Sequence, residues 1–173
     1  MVVLVTGGAA SGKSEYAENI SIKHKKGNLI YVATMMPYDD ECYKKIDRHK
    51  EMRKEKGFLT IECPYDLKSI EEEYLTKDST VLLECMSNLL ANEMYDSARK
   101  DKDSVLEIID GISYLKDKVR NLIIVTNEIF SDGNTYDEET EKYIYNLGLI
   151  NRKIGMIADE IIEVVYGIEV KIK

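Results

Sequence analysis

The residues best equipped for chemistry stand near the start of the chain. Gly7, Gly8, Ala9, Ala10, Ser11, Gly12, Lys13 and Ser14 follow the spacing G-x-x-x-x-G-K-S. A glycine-rich turn of this kind lets backbone N–H groups converge on phosphate oxygens. The Lys13 ammonium can reach the outer phosphates, and the Ser14 hydroxyl can join the shell of a Mg²⁺ ion. A second candidate is Glu84, which ends the apolar run Val81-Leu82-Leu83. A carboxylate at the end of a buried strand, beside a phosphate loop, suits holding a metal-bound water or Mg²⁺. The third is His49 with Arg53, one helical interval apart in the most basic stretch of the chain. Lys44, Lys45, Arg48, Lys50, Lys54 and Lys56 surround them and could attract a triphosphate. A neutral imidazole can attack phosphorus. Composition alone equally allows a solvated helix on which His49 is an ordinary surface side chain.

These groups need elements to hold them. Val2 to Thr6 is a short apolar run that reads as a buried strand, and Ser14 to about Lys25 as the helix after the loop. Leu29 to Thr34, Leu59 to Cys63, Val81 to Leu83, Leu122 to Thr126 and Ile161 to Tyr166 read as further strands. A last edge segment spans Val170 to Ile172. Helical patterns cover Cys42 to Lys56, Leu67 to Leu75, Val105 to Val119 and Glu138 to Met156. Gly111 weakens the third of these helices, and Gly148 with Gly155 the fourth. Continuous apolar strands alternating with helices predict an α/β protein with a mostly parallel sheet. In such sheets ligands lie beyond the carboxyl ends of the strands. The loops after Thr34 and Thr126, with Asn127 and Glu128, are therefore expected near the phosphate site.

The 173 residues fit one domain, 1–173, with a substantial core. A formal charge of -8, from 24 basic and 32 acidic groups, argues against an extended nucleic-acid surface. Cys42, Cys63 and Cys85 are odd in number and lack C-x-x-C spacing, so zinc is not expected. Reduced thiols, no signal peptide and no membrane-length apolar run together predict a cytoplasmic protein.

The ordered motifs resemble one family, adenosylcobinamide kinase / adenosylcobinamide-phosphate guanylyltransferase. The loop is followed by Ala17-Glu18, the second strand carries Tyr31-Val32-Ala33-Thr34, and Asp40-Glu41 gives the acidic pair. Ile46, His49 and Arg53 keep the family's histidine register, followed by Thr60-Ile61-Glu62-Cys63-Pro64. Leu82-Leu83-Glu84-Cys85, Asn92, Val125-Thr126-Asn127-Glu128, Asn151 and Ala158-Asp159 complete the order. The resemblance implies a P-loop NTPase with a RecA-like sheet flanked by helices, and a homotrimer. It also implies two reactions. Adenosylcobinamide is phosphorylated with ATP or GTP. GMP then passes from GTP to adenosylcobinamide phosphate through a guanylylated histidine, here His49.

The implied site therefore joins His49, Lys13 and Glu84 as catalytic residues with Ser14 and Glu84 on Mg²⁺. Thr34, Arg53 and Glu62 would help residues 7–14 bind nucleotide, and Asn127 and Glu128 would support the site. The chain departs from the family at several points. Ala10 and Lys45 stand where arginines are common, Phe58 near a tryptophan, and Glu84 where aspartate is usual. Residues 129–134 lack the glycine-rich and Ile-Val-Pro run, and the Arg-x-Phe-Arg-Asp segment is absent before Asn151, with Lys142 as a basic substitute for its first arginine. Two alternatives remain open on the residues alone. One is a kinase for another small alcohol; the other is a nucleotide-controlled binding protein without guanylyl transfer.

Overall fold

The computed structural model describes residues 1–36, 50–51, 53–99, 101–131 and 133–173. His49, Asp40, Glu41, Cys42, Lys44, Lys45, Ile46 and Arg48 lie outside the described residues.

The apolar runs do form strands, and they join one seven-stranded sheet. Its elements are β1 (Val2–Thr6), β2 (Leu29–Ala33), β3 (Leu59–Glu62), β4 (Thr80–Glu84), β5 (Asn121–Val125), β6 (Glu160–Val165) and β7 (Ile168–Lys171). The spatial order is β3-β2-β4-β5-β1-β6-β7. Every pairing is parallel except β6 with β7, which is antiparallel. Among the described residues the longer helices are α1 (Lys13–His24), α2 (Met86–Tyr95), α3 (Ser104–Lys118) and α4 (Glu138–Ile157). Residues 50–51 and 53–55 are also helical.

Both faces of the sheet are covered, which is why its strands lack polar alternation. Val2, Leu4, Val81, Leu83, Leu122 and Ile124 face the layer formed by α2, α3 and α4. The intervening residues Val3, Val5, Leu82, Ile123 and Val125 face the side that carries Ala17 of α1. β5 lies between the strand that leads into the phosphate loop and the strand that ends at Glu84. The carboxyl ends of β1 and β4 therefore open on the same edge, separated by one strand's width.

Two expectations change. Residues 67–75 form two short 3₁₀ turns, Leu67–Ser69 and Glu72–Tyr74, in place of one helix. Three successive acidic residues, Glu71 to Glu73, give helix little support, and Leu67, Ile70 and Leu75 reach the core without helical spacing. Gly111 and Gly148 do not interrupt their helices. Gly111 is there because a Cβ would lie 2.8 Å from Leu67 Cβ, so the 3₁₀ turn packs onto α3 only over a glycine. Residues 93–99 start as the last turn of α2 and continue through turns that bury Arg99.

Candidate functional site

β1 ends at Thr6 and the chain turns sharply through residues 7–12 into α1. Gly7 admits no side chain, since a Cβ would sit 2.5 Å from the Val164 carbonyl and 2.6 Å from Ser11 Oγ. Gly12 is the N-cap of α1 with φ 93, and no side chain caps the helix. The N–H groups of the first turn thus keep their capacity for an anion, at the positive end of the helix dipole. Lys13 is buried and its Nζ folds back to donate to the Gly8 carbonyl at 3.0 Å. That contact holds the ammonium over the loop, where incoming phosphate oxygens can replace a neutral carbonyl.

Ser14 and Glu84 are 70 residues apart in sequence, yet Ser14 Oγ donates to Glu84 Oε1 at 2.5 Å. The other carboxylate oxygen, Glu84 Oε2, is buried without a partner. Ser11 Oγ and Arg53 Nη1 are likewise buried and unpartnered. Among the described residues these are the three side-chain polar atoms in that condition. A buried donor or acceptor without a partner costs roughly 1–3 kcal/mol, so such groups are rarely left idle. Ser11 lies in the loop, while Arg53 and Glu84 line one cavity of about 500 Å³ together with Ser14, Tyr31 and Glu62. No cluster of three or more metal-binding side chains occurs among the described residues. The donor set fits Mg²⁺ brought in with phosphate, held by one hydroxyl and one carboxylate.

The cavity wall is built from strand parity. Tyr31 and Ala33 pair with Leu82 and Glu84, so all four point toward the α1 face. The Arg53 guanidinium lies 3.8 Å from the Tyr31 ring centroid, and Phe58 meets the same ring edge-on at 5.9 Å. Burial pushes the Tyr31 hydroxyl well above its ordinary pKa, and the Glu84 carboxylate adds to the shift. Tyr31 therefore stays neutral and acts as a platform for Arg53. Glu62 lines the same cavity, ion-paired with Lys50, and Lys56 reaches Glu18 at 2.5 Å.

Other expected site residues act at one remove. Thr34 is fully buried; its hydroxyl donates to the Cys85 carbonyl at 2.9 Å and accepts from the Cys85 N–H at 2.8 Å. It fastens β2 to the end of β4 and does not line the cavity. The Glu128 N–H donates to the Gly7 carbonyl at 3.1 Å, while its carboxylate accepts from Phe130 N and Ser131 Oγ, each at 2.9 Å. Asn127 Nδ2 donates to Ser87 Oγ at 2.6 Å. Ala9 and Ala10 are exposed on the loop, Ala10 with φ 56. Lys50 and Lys56 belong to the basic stretch expected to attract a triphosphate, whereas Tyr31 escaped the sequence reading as a cavity residue. The alternation of β2 against β4 would have placed Tyr31 beside Glu84.

The chain matches the family described as "Cobinamide kinase / cobinamide phosphate guanyltransferase" over residues 3–172. It belongs to that family. It is 31% identical over 185 residues to the "Bifunctional adenosylcobalamin biosynthesis protein CobU" of Salmonella typhimurium, covering 100% of both chains. The Escherichia coli protein of the same name is 30% identical, again across 100% of both chains. Membership makes the chain a transferase of cobalamin biosynthesis, of the bifunctional kinase and guanylyltransferase kind. The RadB recombinase structure matches with TM-score 0.50 at 14% identity, covering 94% of this chain and 73% of that one. That likeness concerns the fold, and it supports the RecA-like P-loop architecture that the family resemblance implies.

Proposed function

We propose that residues 1–173 form one catalytic domain that phosphorylates adenosylcobinamide with ATP or GTP and then transfers GMP from GTP to the product. The observation that carries this is the convergence of Ser11, Ser14, Arg53 and Glu84 beside the loop, with three polar atoms left unpartnered. In the first reaction the acceptor hydroxyl attacks the γ-phosphorus, its proton is released, and the bond to the β-phosphate oxygen breaks. Lys13 moves from the Gly8 carbonyl onto the outer phosphates and stabilises their charge. The N–H groups at the start of α1 hold the phosphates in line with the acceptor. Ser14 and Glu84 would hold Mg²⁺, which when bound neutralises phosphate charge.

In the second reaction His49 attacks the α-phosphorus of GTP and pyrophosphate leaves. The phosphate oxygen of adenosylcobinamide phosphate then attacks the histidine-bound phosphorus, forming the diphosphate link and freeing the imidazole. His49 precedes Lys50 in the sequence, and Arg53, in the helical residues 53–55, presents a free Nη1 to the cavity. Arg53 would steady the phosphate during this transfer, with Glu62 orienting Lys50. Asn127 and Glu128 would support the site by holding the loop and the end of α2.

A homotrimer in the cytoplasm is part of this reading. Tyr145 and Met156 on α4 are 71% and 77% exposed, which suits a surface covered by another subunit. No helix among the described residues is long and apolar enough to cross a membrane.

Mass analysis of the products from Mg²⁺-GTP and adenosylcobinamide tests both steps together. A GMP adduct on His49 should form with GTP and disappear on adding adenosylcobinamide phosphate. His49→Ala should abolish the adduct and the guanylyl transfer while GTP still binds. Unchanged transfer by that variant would reject His49 as nucleophile. GTP binding with no transfer to any acceptor would favour a nucleotide-controlled binding protein instead.

A further inference from the structure

We propose that Tyr166 is the platform on which the purine base stacks when the nucleotide's phosphates occupy residues 7–14. This rests on the reading of those residues as the phosphate site.

The turn between β6 and β7 consists of Tyr166 and Gly167, with φ of 52 and 77. Two positive φ angles in succession suit the two-residue turns that follow a hairpin's twist, and Asn-Gly is the pair that fills them at least cost. A tyrosine there is uncommon, because its Cβ crowds the following carbonyl in the left-handed region. Nothing in the core offsets that cost, since Tyr166 is 94% exposed. Folding alone does not account for an aromatic residue at this position. Backbone outliers of this kind cluster at ligand sites.

The turn is also fixed to the loop. The Gly167 N–H donates to the Ser11 carbonyl at 2.8 Å. A Cβ on Gly12 would lie 3.4 Å from Gly167 Cα, and one on Gly7 would strike the Val164 carbonyl at 2.5 Å. The hairpin end and the phosphate loop therefore form one rigid rim. The two sides of that rim differ. Toward β4 the cavity carries Arg53, Lys50, Lys56 and Glu62, groups suited to phosphate and charge. Toward β6 the loop is joined through Ser11 to the turn that carries exposed Tyr166. A flat apolar base finds its partner on the second side. Aromatic stacking tolerates any purine, so Tyr166 would serve ATP and GTP alike.

The chain contains no tryptophan, so Tyr166→Trp gives a single reporter at the turn. Mg²⁺-GTP and Mg²⁺-ATP should quench its emission, whereas inorganic tripolyphosphate should not. Tyr166→Asn suits the turn and should keep the wild-type Tm. It should weaken GTP binding about tenfold, within the range seen when a stacking aromatic is removed, and leave tripolyphosphate binding unchanged. Tyr166→Phe should bind GTP as wild type does. GTP affinity untouched in Tyr166→Asn, or an equal loss for tripolyphosphate, would overturn the platform. If Lys13→Ala binds tripolyphosphate as well as wild type, the phosphate-site reading fails, and the platform with it.

Discussion

Two buried carboxylate–guanidinium neighbourhoods lie at opposite ends of α2, and they are finished to different degrees. In its last turn, Glu93 is 2% exposed and fully engaged. Glu93 Oε2 accepts from Arg99 Nε at 2.7 Å, and Oε1 accepts from Arg99 Nη2 at 2.9 Å and from the Asp66 N–H at 2.8 Å. Arg99 also reaches Glu107 at 3.3 Å. Before its N-terminal end, Glu84 satisfies one oxygen on Ser14 and leaves the other bare, and Arg53 keeps a bare Nη1 above Tyr31. The residue types are the same. The first group is closed by the protein's own atoms and ties the 3₁₀ region to α2 and α3. The second waits for atoms from outside. A complete buried network supports structure, whereas an incomplete one marks where a ligand supplies the missing partners.

A second cavity of similar size does not change this contrast. About 550 Å³ lies between α2, α3 and α4, bordered by Lys102, Lys142 and Lys153. None of its lining residues has a buried unpartnered side-chain atom. Size alone therefore does not separate the two cavities, and the unpaired atoms do.

The largest expected effect is on the closed network. Arg99→Ala leaves the Glu93 carboxylate buried and uncompensated, a change that costs about 3–5 kcal/mol. Urea unfolding should show that loss in the midpoint, with GTP affinity of the folded fraction unchanged. A weakened nucleotide affinity at full stability would place Arg99 in the functional site and erase the distinction.

Glu84→Gln should behave in the opposite way. The amide keeps the shape and can still meet Ser14, but it removes the charge that the open site holds for Mg²⁺. Kinase turnover should fall about 10²–10³-fold, as when a group that stabilises the transition state is lost. Stability should hold or rise, because an unpaired buried charge has gone. Loss of stability without loss of turnover would make Glu84 a structural residue like Glu93.

The sequence made the strands and the loop legible because each is a continuous local signal. Val2 to Ser14 carries strand, turn and helix start in consecutive residues, and the structure places all of them. Gly7 reads as a loop residue, but its closeness to Val164 is a long-range contact that no local pattern contains. Arg99 and Glu93 are six apart, an interval that fits no helical pairing, so their union is invisible without the turns between them. Thr34 is expected at the nucleotide from the family resemblance. Only the partner strand reveals that its hydroxyl is spent on Cys85. Incomplete satisfaction of Glu84 and Arg53 is a property of three dimensions alone.

The smallest effects come from two glycines, one in the closed region and one outside it. Gly111 faces Leu67, the residue after Asp66 in the network, and a Cβ there would approach Leu67 Cβ to 2.8 Å. A Cβ cannot swing aside as a side-chain tip can, so the 3₁₀ turn must move off α3. Overpacking of this kind costs about 1–3 kcal/mol, against a helix-propensity gain of about 1 for glycine to alanine. Gly111→Ala should therefore be destabilising by about 1 kcal/mol. At Gly148 a Cβ would meet Phe130 Cε1 at 3.4 Å, and that ring is 45% exposed and free to give way. Gly148→Ala keeps most of the propensity gain and should raise stability by up to about 1 kcal/mol. Chemical denaturation of the two variants gives the comparison. Equal shifts of the same sign would show that the contact between Leu67 and α3 is too soft to anchor the network beside it.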